Sequence, residues 1–307
     1  MNTQANPMPQ SPVDSRESAP AVMRPMRPMY WSIRREFWEY RVIYLAPLAI
    51  AGMVLFGFMV STLTLPYRMR TFDPEQLRAT MLQPYQLGAT LILGSAFVIG
   101  IFYCLDALHG ERRDRSILFW KSLPVSDFTT VFAKACIAGA VLPMLGLVIT
   151  IATLLIMLLL NSVVLLVNGL SVGPLWEQVP VLRISLILFY HFLTAHMLWY
   201  APFYGWMLLV SGWAKRVAFL WAALPPFAIC VVEKFAFKTS HFANLLLYRL
   251  NGPQNFDLTT AHGNQVIPLT QLALLKFLST PGLWTGLALA AVFLFAAAWQ
   301  RRYRGPI

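Results

Sequence analysis

The sequence predicts an all-α, polytopic membrane protein with six transmembrane helices, an N-terminal interfacial helix and short outer helices between the fifth and sixth crossings. The first observation is composition, because 58% of the 307 residues are hydrophobic, 12% are charged and the mean hydropathy is +0.60. The second is length, since six apolar stretches reach the about 20 residues that a helix needs to cross about 30 Å of hydrocarbon. These stretches cover roughly residues 43–64, 88–108, 131–166, 184–210, 217–235 and 280–299.

The chain before the first crossing divides into a tail and a helix. Residues 1–29 are rich in Pro, Gln and Ser without an apolar period, which predicts a disordered cytosolic tail ahead of a transmembrane domain, 30–307. The domain begins with an amphipathic pattern typical of a helix in the headgroup layer, the alternative being an ordinary aromatic belt with flanking charges. Its apolar face consists of Tyr30, Ile33, Phe37, Tyr40 and Tyr44. Its other faces carry Arg34, Arg35, Glu36 and Glu39.

Basic residues predict the orientation of the six crossings. If the N-terminus is cytosolic, 16 of the 24 Lys and Arg residues fall on the inner side and eight on the outer side. Because basic residues concentrate in cytoplasmic loops, this bias predicts that both chain ends are cytosolic. No basic stripe with interleaved aromatic residues indicates nucleic-acid binding.

The third and the outer segments need more than one simple crossing. We expect the first turns of the third, from Asp127 to about Lys134, to project into the cytosol, with Ser126 or Asp127 as the cap. The outer segment 236–279 contains two apolar runs, HFANLLLYRL and VIPLTQLALLKFL, which predict two short interfacial or re-entrant helices. The polar NGPQNFD between these runs predicts a turn.

The loop between the second and third crossings, residues 109–127, contains the sequence GERRDRSILFWKSLPVSD. A connection between membrane helices needs only turn residues and charge. The compact SILFW therefore predicts a surface that docks a partner. The alternative is that residues 117–120 dip into the headgroup layer while the arginines bind lipid phosphates.

The central segment DALHGERRDRSILFWKSLPVSDFTTVFAKA runs from Asp106 to Ala135, and later segments read WYAPFYGWMLLVSGWAKR (199–216) and STPGLW (279–284). These segments resemble the membrane subunit, or permease, of a bacterial ABC transporter of the type-2 exporter (ABC-2) class, over about residues 30–305. The resemblance implies that the loop forms a coupling helix, which sits in a groove of a nucleotide-binding subunit. The implied ATPase-docking residues are Glu111, Arg112, Arg113, Asp114, Arg115, Ile117, Leu118, Phe119, Trp120 and Lys121.

The resemblance also implies a set of partners and a location. Two copies of a cytosolic ABC ATPase would bind ATP and Mg, and a second permease subunit would complete a homodimer or heterodimer. The chain itself contains no GxxxxGK[ST] loop, so we expect it to have no ATP site, no cofactor and no enzymatic activity. The implied location is the bacterial cytoplasmic (inner) membrane, where lipids surround a multi-pass chain that exports its substrate.

The fourth crossing contains an aromatic stripe at spacings of three and four. Two interpretations stay open, namely a wall or gate of the substrate path and tight packing against neighbouring helices. Pro202 interrupts this helix and predicts a bend, because the carbonyl near Leu198 loses its usual hydrogen-bond donor. The stripe consists of Phe189, Phe192, His196, Trp199, Phe203 and Trp206.

Few polar groups in the apolar segments are placed to act in catalysis or to bind a metal ion. His191 and His196 lie five residues apart, about 500° around an α-helix, so we expect different faces, no metal site and a hydrogen-bonding role for His196. Asp106 is expected to pair with Arg112 or Arg113, close to the loop.

Three further features of the apolar segments favour structural roles. Glu233 and Lys234 lie at the outer boundary of the fifth crossing. The GxxxG spacing of Gly282 and Gly286 predicts a close contact within one subunit or across a dimer. The cysteines lie in apolar segments without CxxC spacing, which is typical of packed thiols: Cys104, Cys136 and Cys230.

Two other classes of function remain open. An intramembrane enzyme requires paired acids, metal-spaced histidines or a nucleophile with a base, and the sequence contains no such constellation. A non-transporting membrane scaffold would recruit a cytosolic partner through the same loop. A proton-coupled secondary transporter is disfavoured because no acid lies at mid-membrane depth. The aromatic, weakly charged helices favour an amphipathic cargo.

Overall fold

A computed structural model describes residues 26–65, 67, 71, 74–123, 125–251 and 277–305. Within this part of the chain all regular structure is helical, which confirms the all-α fold class. Six helical spans among the described residues are long and apolar enough to cross a membrane, as the sequence predicts. They are Val42–Thr62, Met81–Arg113, Asp127–Val167, Gly173–Trp199, Ala218–Phe237 and Pro281–Tyr303.

The helices are numbered in chain order. The first half of the chain contains α1 (Met26–Glu39), α2 (Val42–Thr62), α3 (Pro74–Ala107), α4 (His109–Arg113), α5 (Ser116–Lys121) and α6 (Asp127–Val167). The second half contains α7 (Gly173–Gln178), α8 (Val181–His191), α9 (Ala201–Trp213), α10 (Ala218–Val232), α11 (His241–Asn251) and α12 (Pro281–Tyr303). Three π-helical segments interrupt or extend them: Ile137–Val141, Phe192–Trp199 and Glu233–Phe237.

Two hydrophobic clusters lie one above the other along α3 and α6. We call the end of the bundle at which α1, α4 and α5 lie the proximal end, and the opposite end the distal end. The distal cluster surrounds Tyr85 and Met157, and the proximal cluster surrounds Cys104 and Tyr204. In the proximal cluster α9 packs closely on α12. A Cβ atom at Gly205 would lie only 3.3 Å from the carbonyl oxygen of Ala290.

Local structure agrees with several predictions. The third span runs without a break from Asp127 to Val167, and Ser126 caps its start by accepting a 3.0 Å hydrogen bond from the Thr129 amide. The fourth crossing is interrupted next to Pro202, where the sequence predicts a bend: the π-helical segment ends at Trp199, and α9 begins at Ala201 with this proline in its first turn.

Two of the predicted segments, the N-terminal tail and the outer segment, are only partly described by the structure. Helix α1 begins at Met26, four residues earlier than the predicted start, and residues 1–25 of the predicted tail lie outside the described part. The run HFANLLLYRL forms α11. The run VIPLTQLALLKFL up to residue 276, and NGPQNFD after its first residue, also lie outside the described part.

Candidate functional site

The loop predicted to dock a partner folds into two short helices, α4 and α5. The turn between them is sharp because Arg115 has a φ of 57°, in the left-handed region that a non-glycine residue rarely adopts. The turn therefore presents the exposed face of α5 away from the bundle. Leu118 is 59% exposed and Phe119 is 61% exposed. The ring centroids of Phe119 and Trp120 lie 4.9 Å apart in an edge-to-face arrangement.

The structure divides the ten predicted docking residues into an outer and an inner set. Arg113, Asp114, Arg115 and Lys121 are exposed beside Leu118 and Phe119, and Trp120 is half-buried. The inner set, Glu111, Arg112 and Ile117, is buried within the fold. These three side chains therefore hold the loop in place and do not present a surface to a partner.

Arg112 illustrates this inward role. Its guanidinium donates to the carbonyl oxygens of Gly212 at 2.8 Å, Ala214 at 3.3 Å and Gly305 at 3.2 Å. The first two oxygens lie at the C-terminal end of α9, where backbone carbonyls lack partners within the helix and a cation is favourable. Arg112 thus ties α4 to the end of α9 and to the C-terminal segment.

Behind the loop lies a buried ionic network with Lys134 at its centre. Lys134 is 1% exposed, and its ammonium lies 2.7 Å from Glu36 Oε1 and 3.2 Å from Glu111 Oε1. Tyr103 donates to the other oxygen of Glu36 at 2.9 Å. The contact joins α1, α4 and α6, which are far apart in the sequence.

Two arginines and one further carboxylate complete this network. Arg35 lies 3.0 Å from Glu111, and Arg301 of α12 lies 3.0 Å from Glu111 and 2.5 Å from Asp127. Arg35 also pairs with its neighbour Glu36. Among the described residues that are buried or half-buried, the network therefore comprises three carboxylates and three cations with a formal charge of zero: Glu36, Glu111, Asp127, Arg35, Lys134 and Arg301. The exposed Glu39 lies at its edge, 3.6 Å from Arg35.

The network corrects the predicted faces of α1. Glu36 was predicted on a face other than the apolar one, yet it is 1% exposed and points into the bundle, where it pairs with the buried Lys134. Ile33 and Phe37 do pack against the proximal cluster as predicted, whereas Tyr30 is 59% exposed. The sequence does not reveal this pairing, because each of the two charged residues lies at the end of an apolar segment. A charged residue in that position is ordinarily interpreted as a water-exposed anchor of a membrane helix.

Two residues of α1 and the adjoining Tyr40 have shifted pKa values. Burial opposes the charge of Arg35, but the neighbouring carboxylates of Glu36, Glu111 and Glu39 outweigh it and raise its pKa. Burial, with the negative charge of Glu36, raises the pKa of Glu39. Burial and the nearby Asp106 raise the pKa of Tyr40, whose hydroxyl stays protonated and donates to Asp106 at 3.3 Å.

The start of α4 is fixed by a hydroxyl from α9. Ser211 Oγ accepts hydrogen bonds from the amides of Leu108 at 3.1 Å and His109 at 2.9 Å. The ring nitrogen Nδ1 of His109 lies 3.2 Å from the carbonyl oxygen of Ala214. These contacts satisfy amides that a helix start leaves without partners, so α4 cannot shift without disturbing α9.

Helix α5 has its own attachments. The Lys121 ammonium donates to the carbonyl oxygens of Arg302 and Arg304, both at 3.3 Å, at the C-terminal end of α12. The Arg35 guanidinium lies 3.9 Å from the ring centroid of Trp120, a cation–π contact with α1. The predicted pair between Asp106 and Arg113 is present at 3.8 Å, whereas Arg112 is engaged elsewhere.

The aromatic stripe of the fourth crossing is partly packed inside the protein, and Phe189 at its start is 46% exposed. Phe192, His196 and Trp199 are buried, and Phe203 and Trp206 are half-buried. Trp199 donates through Nε1 to the carbonyl oxygen of Arg249 at 2.8 Å. Burial favours the packing interpretation for the first three of these side chains.

The predicted geometry of the two histidines is wrong. The rings of His191 and His196 lie 5.6 Å apart, because the segment from Phe192 to Trp199 is π-helical and residues five apart lie on the same face of a π-helix. Among the described residues no group of three His, Cys, Asp or Glu side chains is placed to hold a metal ion.

The distal end contains a second polar contact that involves the GxxxG spacing. Arg249 of α11 donates to the Gly282 carbonyl oxygen at 2.8 Å, and a Cβ atom at Gly286 would lie 1.2 Å from Arg249 Nη2. The two glycines therefore accommodate an arginine of the same chain. Glu233 caps the start of α11 by accepting from the amides of residues 241 and 242, at 2.6 and 2.8 Å.

No protein-family model, no curated protein and no solved structure matches this chain.

Proposed function

We propose that this chain is the membrane-spanning permease subunit of an ATP-driven ABC exporter of the type-2 class, and that α5 docks on a cytosolic ATPase. The observation that carries the proposal is an exposed aliphatic and aromatic pair, Leu118 and Phe119, on a short helix that contacts α1 and the end of α12. Exposed apolar side chains next to arginines are typical of surfaces that concentrate binding energy. The segment that resembles the coupling helix of such permeases contains this pair.

The proposed docking surface contains fewer residues than the sequence alone predicts. Leu118 and Phe119 would enter a groove of the ATPase, and Arg113, Arg115 and Lys121 would pair with carboxylates at its rim, where Arg can bind bidentately. Asp114 and the half-buried Trp120 complete the surface. The inner residues Glu111, Arg112 and Ile117 hold the surface in place.

The buried network supports a mechanical link in this proposal. A push on α5 acts on α1 through the contact of Trp120 with Arg35, and on α12 through Lys121. The network joins these helices to the start of α6 through Lys134 and Asp127. In the proposed cycle, closure of the ATPases on ATP moves α5, and the attached helices shift together as packed bodies.

The remaining parts of the proposal follow from the resemblance and from the basic residues. The ATPase subunits bind ATP and Mg, a second permease subunit completes the path, and this chain supplies no catalytic group. The network end is cytosolic, the membrane is the bacterial inner membrane, and transport is outward. The substrate class that fits the aromatic helices is amphipathic.

The test is to tag the chain, solubilise native membranes in mild detergent and measure co-purifying, vanadate-sensitive ATP hydrolysis. The double variant Leu118→Ala/Phe119→Ala should lose the ATPase while the chain remains folded, because both side chains are exposed. Phe235→Ala is the matched control, since Phe235 is 82% exposed in the π-helical segment that follows α10. A chain that purifies without an ATPase, or a double variant that retains it fully, would refute the docking proposal.

The same preparation separates transport from the rival functions. A partner that co-purifies in stoichiometric amount but hydrolyses no ATP would favour the scaffold. Hydrolysis that rises when amphipathic compounds are added would favour the exporter.

A further inference from the structure

The outward face of α1 differs from the face that joins the network. Trp31 is 59% exposed and Trp38 is 74% exposed, and Arg34 lies exposed between them. The Arg34 guanidinium lies 5.3 Å from the ring centroid of Trp31 and 5.5 Å from that of Trp38. Spacings of three and four place these side chains on one helix face. Arg41, which is also exposed, follows just after the end of α1.

Two adjacent arginines thus have opposite environments. Arg35 faces inward, where it pairs with Glu36, Glu39 and Glu111. Arg34 faces outward, and no carboxylate of the described residues forms an ion pair with it. An exposed guanidinium that is held between two indole rings, with no carboxylate paired to it, is available to bind an anionic group.

The position of this face along the chain indicates its surroundings. Helix α2, the first span, begins at Val42, directly after Arg41, and its exposed residues there, Val42 and Leu45, are apolar. The outward face of α1 therefore continues into the lipid-facing surface of a membrane span. Tryptophan prefers the interface between hydrocarbon and water, and arginine places its charge at headgroup depth.

We propose that Trp31, Arg34 and Trp38 form a binding site for the phosphate of an anionic phospholipid. The guanidinium would bind the phosphate oxygens, and the two indole rings would flank the headgroup and rest on the first part of the acyl chains. Arg34 and Arg41 together present two positive charges. This favours a headgroup with net negative charge over a zwitterionic one, whose ammonium they repel. The proposal is independent of the ATPase and of transport.

The test uses the full chain, purified in mild detergent and delipidated, with native mass spectrometry to count retained lipids. Phosphatidylglycerol and phosphatidylcholine of the same acyl composition are titrated separately against the native chain, Arg34→Gln and Arg216→Gln. Arg216 is the matched control, because it is an exposed arginine elsewhere on the chain. Loss of one surface charge is expected to weaken retention of the anionic lipid about fivefold in Arg34→Gln and not in the control.

Three outcomes would overturn the proposal. These are equal retention of both lipids by the native chain, retention of phosphatidylglycerol by Arg34→Gln at the native level, and equal weakening in both variants. A second variant, Trp38→Leu, tests the aromatic flank without changing charge. It should weaken retention of phosphatidylglycerol while the thermal unfolding of the chain stays unchanged, since the ring is mostly exposed.

Discussion

Replacing Lys134 with methionine tests whether the buried network holds the proximal end together. Lys134 is 1% exposed and lies between Glu36 and Glu111, which are 1% and 3% exposed as whole residues. Methionine retains most of the side-chain volume but removes the charge. The substitution therefore leaves the buried network with a net charge of −1 inside the protein.

The expected cost is large. Removing one partner of a buried ion pair destabilises a protein by about 3–5 kcal/mol, because the remaining charge is buried without compensation. Natural proteins are stable by only about 5–15 kcal/mol, so the loss is a substantial part of the total. The double variant Glu36→Gln/Lys134→Met restores neutrality, while Glu111 keeps its contacts with Arg35 and Arg301. We expect the double variant to cost less than the sum of its single variants by about 0.5–3 kcal/mol.

The measurement is equilibrium unfolding in mixed micelles of mild detergent and dodecyl sulfate, followed by circular dichroism. Lys215→Met is the matched control, because Lys215 is exposed and should change the free energy of unfolding little. If Lys134→Met unfolds within about 1 kcal/mol of the native chain, water solvates the site and the reasoning fails. Additive costs in the double variant would show that Glu36 and Lys134 are not coupled.

Two further predictions concern single contacts away from the network. Gly286→Ala places a methyl group 1.2 Å from the Arg249 guanidinium, so it should lower the free energy of unfolding by about 1–3 kcal/mol. Gly52→Ala is the control, because a Cβ atom there has no neighbour within 4 Å and should not lower it. Equal shifts of the thermal unfolding of the two variants would contradict the prediction. Ser211→Ala removes the acceptor for the amides of residues 108–109 and should cost about 1–3 kcal/mol. Hydrogen exchange should accelerate at these amides, and unchanged protection would mean that the hydroxyl does not fix α4.

The spans could be predicted from sequence because the bilayer sets their length and apolar character, whatever their packing partners. The Ser126 cap and the helix interruption next to Pro202 could also be predicted, since each follows from local backbone chemistry. The pairing of Glu36 with Lys134 was not, because nothing local distinguishes a charge that faces the bundle from one that faces water. The prediction that His191 and His196 lie on different helix faces was wrong for another reason, namely that a π-helical segment changes which residues share a face.

The network also bears on how a short helix can serve as a docking surface. A helix of six residues such as α5 is not stable alone in water, so its shape depends on contacts with the rest of the fold. Those contacts are the buried Ile117, the ring of Trp120 beside Arg35, and Lys121 at the end of α12. A surface ordered before binding avoids the entropy cost of folding on a partner. In the proposed complex, Lys134→Met should therefore weaken ATPase binding without touching the docking surface, whereas Lys215→Met should not.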